Sequence, residues 1–93
     1  MQPAVYILAS KKNGTLYVGV TSSLKKRVYE HKSEFVDGFS SKYKVHHLVY
    51  YELLGTMYEA ISREKQLKNW RRDWKVALID KFNPCWKDLF SEI

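Results

Sequence analysis

The chain has 93 residues, 45% of them hydrophobic and 15% aromatic, with 16 Lys and Arg against 10 acids, a net charge of +6 and a pI near 9.5. That suits one domain, residues 1–93, with a modest core, and excludes a disordered tail. A lone cysteine, Cys85, excludes an internal disulfide and a cysteine-built zinc site.

Val5-Tyr6-Ile7-Leu8-Ala9 is short, β-branched and aromatic, and reads as a strand. Lys11-Lys12-Asn13-Gly14 is a turn, because Asn-Gly favours positive φ at a hairpin bend. Thr15 to Thr21 is the returning strand, and Gly19 within it predicts a close approach by backbone or ligand. The hairpin therefore carries two phenols, Tyr6 and Tyr17, to one place. Packing on one sheet face is the plain alternative for such a pair.

Ser22 and Ser23 are candidate N-caps for a helix from Leu24 to about Lys32. Its stripe Leu24, Arg27, Val28 and His31 brings a guanidinium and an imidazole to or beside the core face. Either the pair meets an anion there, or Arg27 snorkels to solvent and His31 is a boundary residue. Glu34 to Tyr43 reads as a loop, and Val45 to Leu53 as a third strand. His46 and His47 point to opposite strand faces and read as boundary and surface.

Thr56 followed by Glu59 is a capping box that opens a helix running to about Trp70 or Arg71. Met57, Ala60, Ile61 and Leu67 form its apolar arc, and Glu64 falls near the middle. A carboxylate aimed at a core calls for a metal ion or an ion pair with Arg27, unless the arc is partly open at its edge. Asp73 caps a further helix from Trp74 to Phe82, which Asn83-Pro84 stops. Lys65, Lys68, Arg71, Arg72 and Lys75 interleave with Trp70 and Trp74. They are either a phosphate-contacting stripe or a solvated face over core tryptophans. Cys85 reads as a buried or semi-buried structural thiol, and Trp86, Leu89 and Phe90 as a tail packed on the core. The order β-β-α-β-α-α predicts an α/β (α+β) fold, a small three-stranded antiparallel sheet flanked by helices.

Taken together, these segments resemble the GIY-YIG nuclease family, in its small stand-alone single-domain bacterial branch. Ala4-Val5-Tyr6 and Tyr17-Val18-Gly19 stand as the two half-motifs, with ten residues between the tyrosines. Ser23 to His31 is similar to the family's first helix, Glu59 to Lys68 to its metal-glutamate helix, and Asn83-Pro84-x-Trp86-x-Asp88-Leu89 to its tail. Ala4 stands where the family has its first glycine.

The resemblance implies a DNA endonuclease working by a one-metal mechanism. Tyr6, Tyr17, Arg27, His31, Glu64 and Asn83 would be catalytic, and Glu64 would hold Mg²⁺ or Mn²⁺. It also implies branched or damaged DNA among the substrates, and a protein partner or homodimer in place of a separate DNA-binding domain. Lys11, Lys12, Lys25, Lys26, Lys68, Arg71 and Arg72 are the candidate DNA contacts, consistent with the positive charge. No membrane partner is expected, since no stretch nears the ~20 apolar residues of a span. With no signal-peptide pattern at Met1 to Ser10, a cytoplasmic location is expected. The competing readings are a non-catalytic basic nucleic-acid-binding module and a protein-interaction domain.

Overall fold

The structure, a computed structural model, describes residues 1–33 and 44–93. The strands are β1 (Ala4–Ala9), β2 (Leu16–Thr21) and β3 (His47–Leu53), and the helices are α1 (Leu24–Lys32), α2 (Met57–Asn69) and α3 (Arg72–Phe82). A 3₁₀ turn, Leu89–Glu92, ends the chain. The sheet is antiparallel with spatial order β2-β1-β3. The α+β architecture and its β-β-α-β-α-α order are those expected; the loop read at Glu34 to Tyr43 lies outside the described residues.

The central strand β1 is buried along its whole length, which is why its sequence is a continuous apolar run rather than an alternation. Val5, Ile7 and Ala9 face one way, onto Ala60, Leu67, Ile79 and Trp86. Ala4, Tyr6 and Leu8 face the other way, onto Leu24, Val28, Leu48 and Leu89. Two thin cores thus share one sheet, with α1 on one face and α2 on the other.

The hairpin closes through Ser10 N–H to Thr15 O (3.1 Å), and Asn13 takes the left-handed φ of 61°. Arg72 straps α3 to this turn by donating to Asn13 O (2.8 Å) and Gly14 O (2.6 Å). Thr56 Oγ1 accepts from Glu59 N–H (3.1 Å), so α2 begins at the expected cap.

Several boundaries differ from expectation. Helix α3 starts at Arg72, and Asp73 sits inside its first turn, where a carboxylate favours the helix dipole, instead of capping it. Ser23 occupies the N-cap of α1 but makes no side-chain cap bond. Strand β3 begins at His47, and β1 and β3 shift register after Ile7, which pairs with Tyr50 while Leu8 pairs with Leu48. Val49 is thus the extra residue of a β-bulge. Cys85 is exposed, because the turn after Pro84 carries it outward while Trp86, at φ 54°, is the residue folded in. Ile61, expected in the apolar arc of α2, is exposed, and so is Trp74. No described helix is long and apolar enough to cross a membrane.

Candidate active site

The β1–β2 register sets Tyr6 opposite Gly19 and Leu8 opposite Tyr17, so both phenols rise from one sheet face. Their ring centroids are 6.3 Å apart. A Cβ on residue 19 would lie 2.4 Å from Cζ and Oη of Tyr6, so the close approach expected at Gly19 is made by the Tyr6 ring itself.

Helix α1 covers this face. Leu24, Val28 and His31 are its buried residues, at the three- and four-residue spacing of one helical stripe. His31 is fully buried, and its Nε2 is 3.0 Å from Tyr6 Oη. Its ring stands 5.2 Å from that of Tyr17, centroid to centroid. Arg27, one turn earlier, brings its charge close enough to interact with both phenols and meets Glu30 Oε1 at 3.5 Å. Four candidate residues from three elements therefore meet. His31 is thus interior rather than a boundary residue, while Arg27 stays half-buried with its head group partly open to solvent, as the snorkelling alternative has it.

Burial, then the neighbouring Tyr17, raises Tyr6 to about 12, so it is a protonated donor at neutral pH. Burial, then the Arg27 charge, lowers His31 to about 4, so the imidazole is neutral. His31 Nδ1 and His46 Nε2 are buried without a hydrogen-bond partner among the described residues. His46 is half-buried and His47 exposed, the boundary and surface positions expected.

Glu64 lies on α2, whose Ala60 and Leu67 pack beneath β1 and β2 on the face away from the phenols. Its side chain is only 13% exposed, as its place in the apolar arc predicts, and Lys68 Nζ is 2.7 Å from its Oε2. The ion pair is therefore with Lys68, not Arg27. Among the described residues no group of three or more His, Cys, Asp or Glu gathers to hold a metal. The donor set is one nearly buried carboxylate, which suits a hard cation that keeps water and substrate phosphate oxygens in its shell.

Asn83 is buried and spends its amide on backbone. Nδ2 donates to Val49 O (3.2 Å) and Lys87 O (2.8 Å), and Oδ1 accepts from Lys87 N–H (3.2 Å). It thereby satisfies the bulged strand and pins the tail turn. The seven basic candidates, Lys11, Lys12, Lys25, Lys26, Lys68, Arg71 and Arg72, are all exposed. Lys26 and Arg27 line a shallow depression with Thr21, Ser22 and Glu30, whereas Arg72 is committed to the hairpin turn.

Sequence reasoning missed a second polar cluster. Arg63 Nε and Nη2 bind Glu52 (2.9–3.1 Å), which also accepts from the Tyr50 hydroxyl. The available signal was the two-residue spacing of Tyr50 and Glu52, which puts both on one strand face. Lys32 and Asp88 form another missed pair, and Asp88 Oδ1 also accepts from Leu48 N–H (3.2 Å). It binds the tail to α1 and β3.

A family model described as the GIY-YIG catalytic domain matches residues 2–77. A UPF0213 protein of Staphylococcus saprophyticus is 31% identical over 77 residues, 83% of this chain and 93% of that one. One from Staphylococcus aureus is 33% identical over 75 residues, 81% of this chain and 90% of its own. The solution NMR structure of a UPF0213 protein from Bacillus halodurans superposes with a TM-score of 0.53 at 28% identity, covering 86% of this chain and 84% of that one. The matched span runs from β1 through the Glu64 helix, and with the paired tyrosine half-motifs folded face to face this chain belongs to the GIY-YIG family.

Proposed function

We propose that the chain is a divalent-metal-dependent DNA endonuclease that cleaves phosphodiester bonds to leave a 5′-phosphate and a 3′-hydroxyl. The observation that carries this reading is the buried Tyr6–His31 hydrogen bond with Tyr17 and Arg27 beside it.

A phenol is a poor base at neutral pH. Here neither phenol has to ionise. Tyr6 is hydrogen-bonded to His31 Nε2, and the Tyr17 ring lies beside that of Tyr6, 6.3 Å between centroids. Tyr17 orients the attacking water and takes its proton while passing its own to Tyr6. Tyr6 in turn passes one to the neutral His31. The phosphate's negative charge favours the imidazolium so formed. Water oxygen bonds to phosphorus, the P–O3′ bond breaks, and the leaving 3′ oxygen takes a proton from solvent water to give the hydroxyl. Arg27 meets the charge that builds on the phosphoryl oxygens. Glu64, whose helix packs on the other face of the sheet, would hold the divalent ion, Mg²⁺ or Mn²⁺, which when bound supplies Lewis-acid polarisation to a phosphate reaching across the β2 edge between the two faces. Asn83 acts as a positioning residue, keeping the tail seated on β3.

The test is cleavage of labelled duplex, flapped, branched and single-stranded DNA with Mg²⁺ and Mn²⁺. The wild-type chain is expected to nick at least one of these, and Tyr17→Phe to lose most of that activity while keeping its binding. Binding with no cleavage under either ion would make the chain a nucleic-acid-binding module.

A further inference from the structure

Trp74 is 50% exposed in the first turn of α3, where the sequence pattern allowed a core tryptophan. The Arg71 guanidinium carbon sits 4.9 Å from the centre of its ring. Trp70 packs edge-on against Trp74 at 5.9 Å, and the Arg63 guanidinium lies 5.1 Å from the Trp70 ring centre. Two indoles and two guanidinium groups therefore form one ladder, ordered on the inner side by the Arg63–Glu52 pair.

Its outer end is open. The Arg71–Asp73 ion pair (3.2 Å) is about two-thirds exposed on both sides, so it is weak and easily released. Lys68 and Lys75 add positive charge nearby in the sequence, on a chain of net charge +6. The Arg72 strap fixes the first turn of α3 to the Asn13–Gly14 bend, and Tyr17, the second residue of β2, follows Gly14 by three residues in the chain. That is at most roughly 10 Å of chain.

A half-exposed flat ring with one guanidinium beside it matches an unpaired nucleotide, whose base stacks on the indole while its phosphate meets the guanidinium. A blunt duplex keeps its base faces covered and offers the ring nothing to stack on. One half-exposed indole is also too small an apolar area to seat a protein partner.

We infer that Trp74 and Arg71 form a stacking platform for unpaired DNA bases, which directs the chain to substrates with a single-stranded segment beside the cut. This deepens the proposed nuclease reading by naming its substrate class. Its test needs no cleavage, so the two fail separately.

Binding of a fluorescent oligo-dT and of a blunt duplex is measured in EDTA with the full chain. Trp74→Ala is expected to weaken oligo-dT binding about tenfold or more, with duplex binding changed less than about threefold. Trp74→Phe should retain most of the affinity, and Arg71→Gln should lose part of it. In the wild type, oligo-dT should shield tryptophan emission from acrylamide, a readout that holds even if a variant fails to fold. Equal loss on both DNAs, or no shielding by oligo-dT, overturns the platform and leaves the catalytic reading untouched.

Discussion

Tyr6 lies across β2 only because residue 19 has no side chain. Gly19→Ala would force the ring off its seat and break its bond to His31. The expected cost is about 1–3 kcal/mol of overpacking, read by urea denaturation, with cleavage falling alongside. His31 makes a separate prediction. In the unfolded chain the imidazole takes up a proton as pH falls through about 6.5, whereas in the fold it does so only near 4. Between those values the unfolded state binds more protons, so stability is greatest above the window and declines as pH drops across it. The contribution is on the order of 3 kcal/mol. Urea midpoints from pH 4.5 to 7.5 check it, and His31→Gln should flatten the profile while its neighbours Tyr6, Tyr17, Arg27, Glu30 and His46 stay in place. The pairing of Tyr6 with Tyr17 was legible from the Asn13-Gly14 turn alone. The Tyr6–His31 bond was not, because the stripe of α1 shows which way His31 points but not which strand residue lies beneath it.

The elements differ in how firmly local sequence dictates them. Helix α2 opens at Thr56 because its hydroxyl accepts the Glu59 N–H. Thr56→Ala should cost about 1 kcal/mol, a fall of roughly 4–8 °C in Tm by calorimetry. The Arg63–Glu52–Tyr50 cluster joins α2 to β3, and burial followed by the Glu52 carboxylate raises the Tyr50 phenol. A double-mutant cycle on Glu52→Ala and Arg63→Ala should return a coupling of roughly 1–2 kcal/mol, since the pair is bidentate yet partly solvated. Strands and helices with a strong apolar period were readable within a few residues. The bulge at Val49, the 3₁₀ tail and the start of α3 were not, because tertiary contacts set them. Asn83 satisfies the bulge, Asp88 accepts from Phe90 N–H to cap the tail, and Arg72 anchors α3 to a hairpin far away in sequence. Cys85 was misplaced for the same reason: a positive-φ residue after it reverses which side chain enters the core.

At the scale of the whole molecule, one sheet with a thin core on each face sets the phenols under α1 and the Glu64 helix on the far side of the same strands. The sequence showed that Glu64 faces inward, but not that Lys68 holds it. The positive charge of +6 should make DNA binding salt-sensitive, with log Kd rising against log salt by about 0.9 per phosphate contacted. Charge alone does not separate a nuclease from a binding module. Single-turnover cleavage by Glu64→Gln against wild type, at equal DNA occupancy in Mg²⁺, does. Loss of cleavage on the order of 10³-fold, with DNA binding and Tm near wild type, is the expected result. A glutamine variant that cuts at the wild-type rate would contradict the assignment of this carboxylate to the metal.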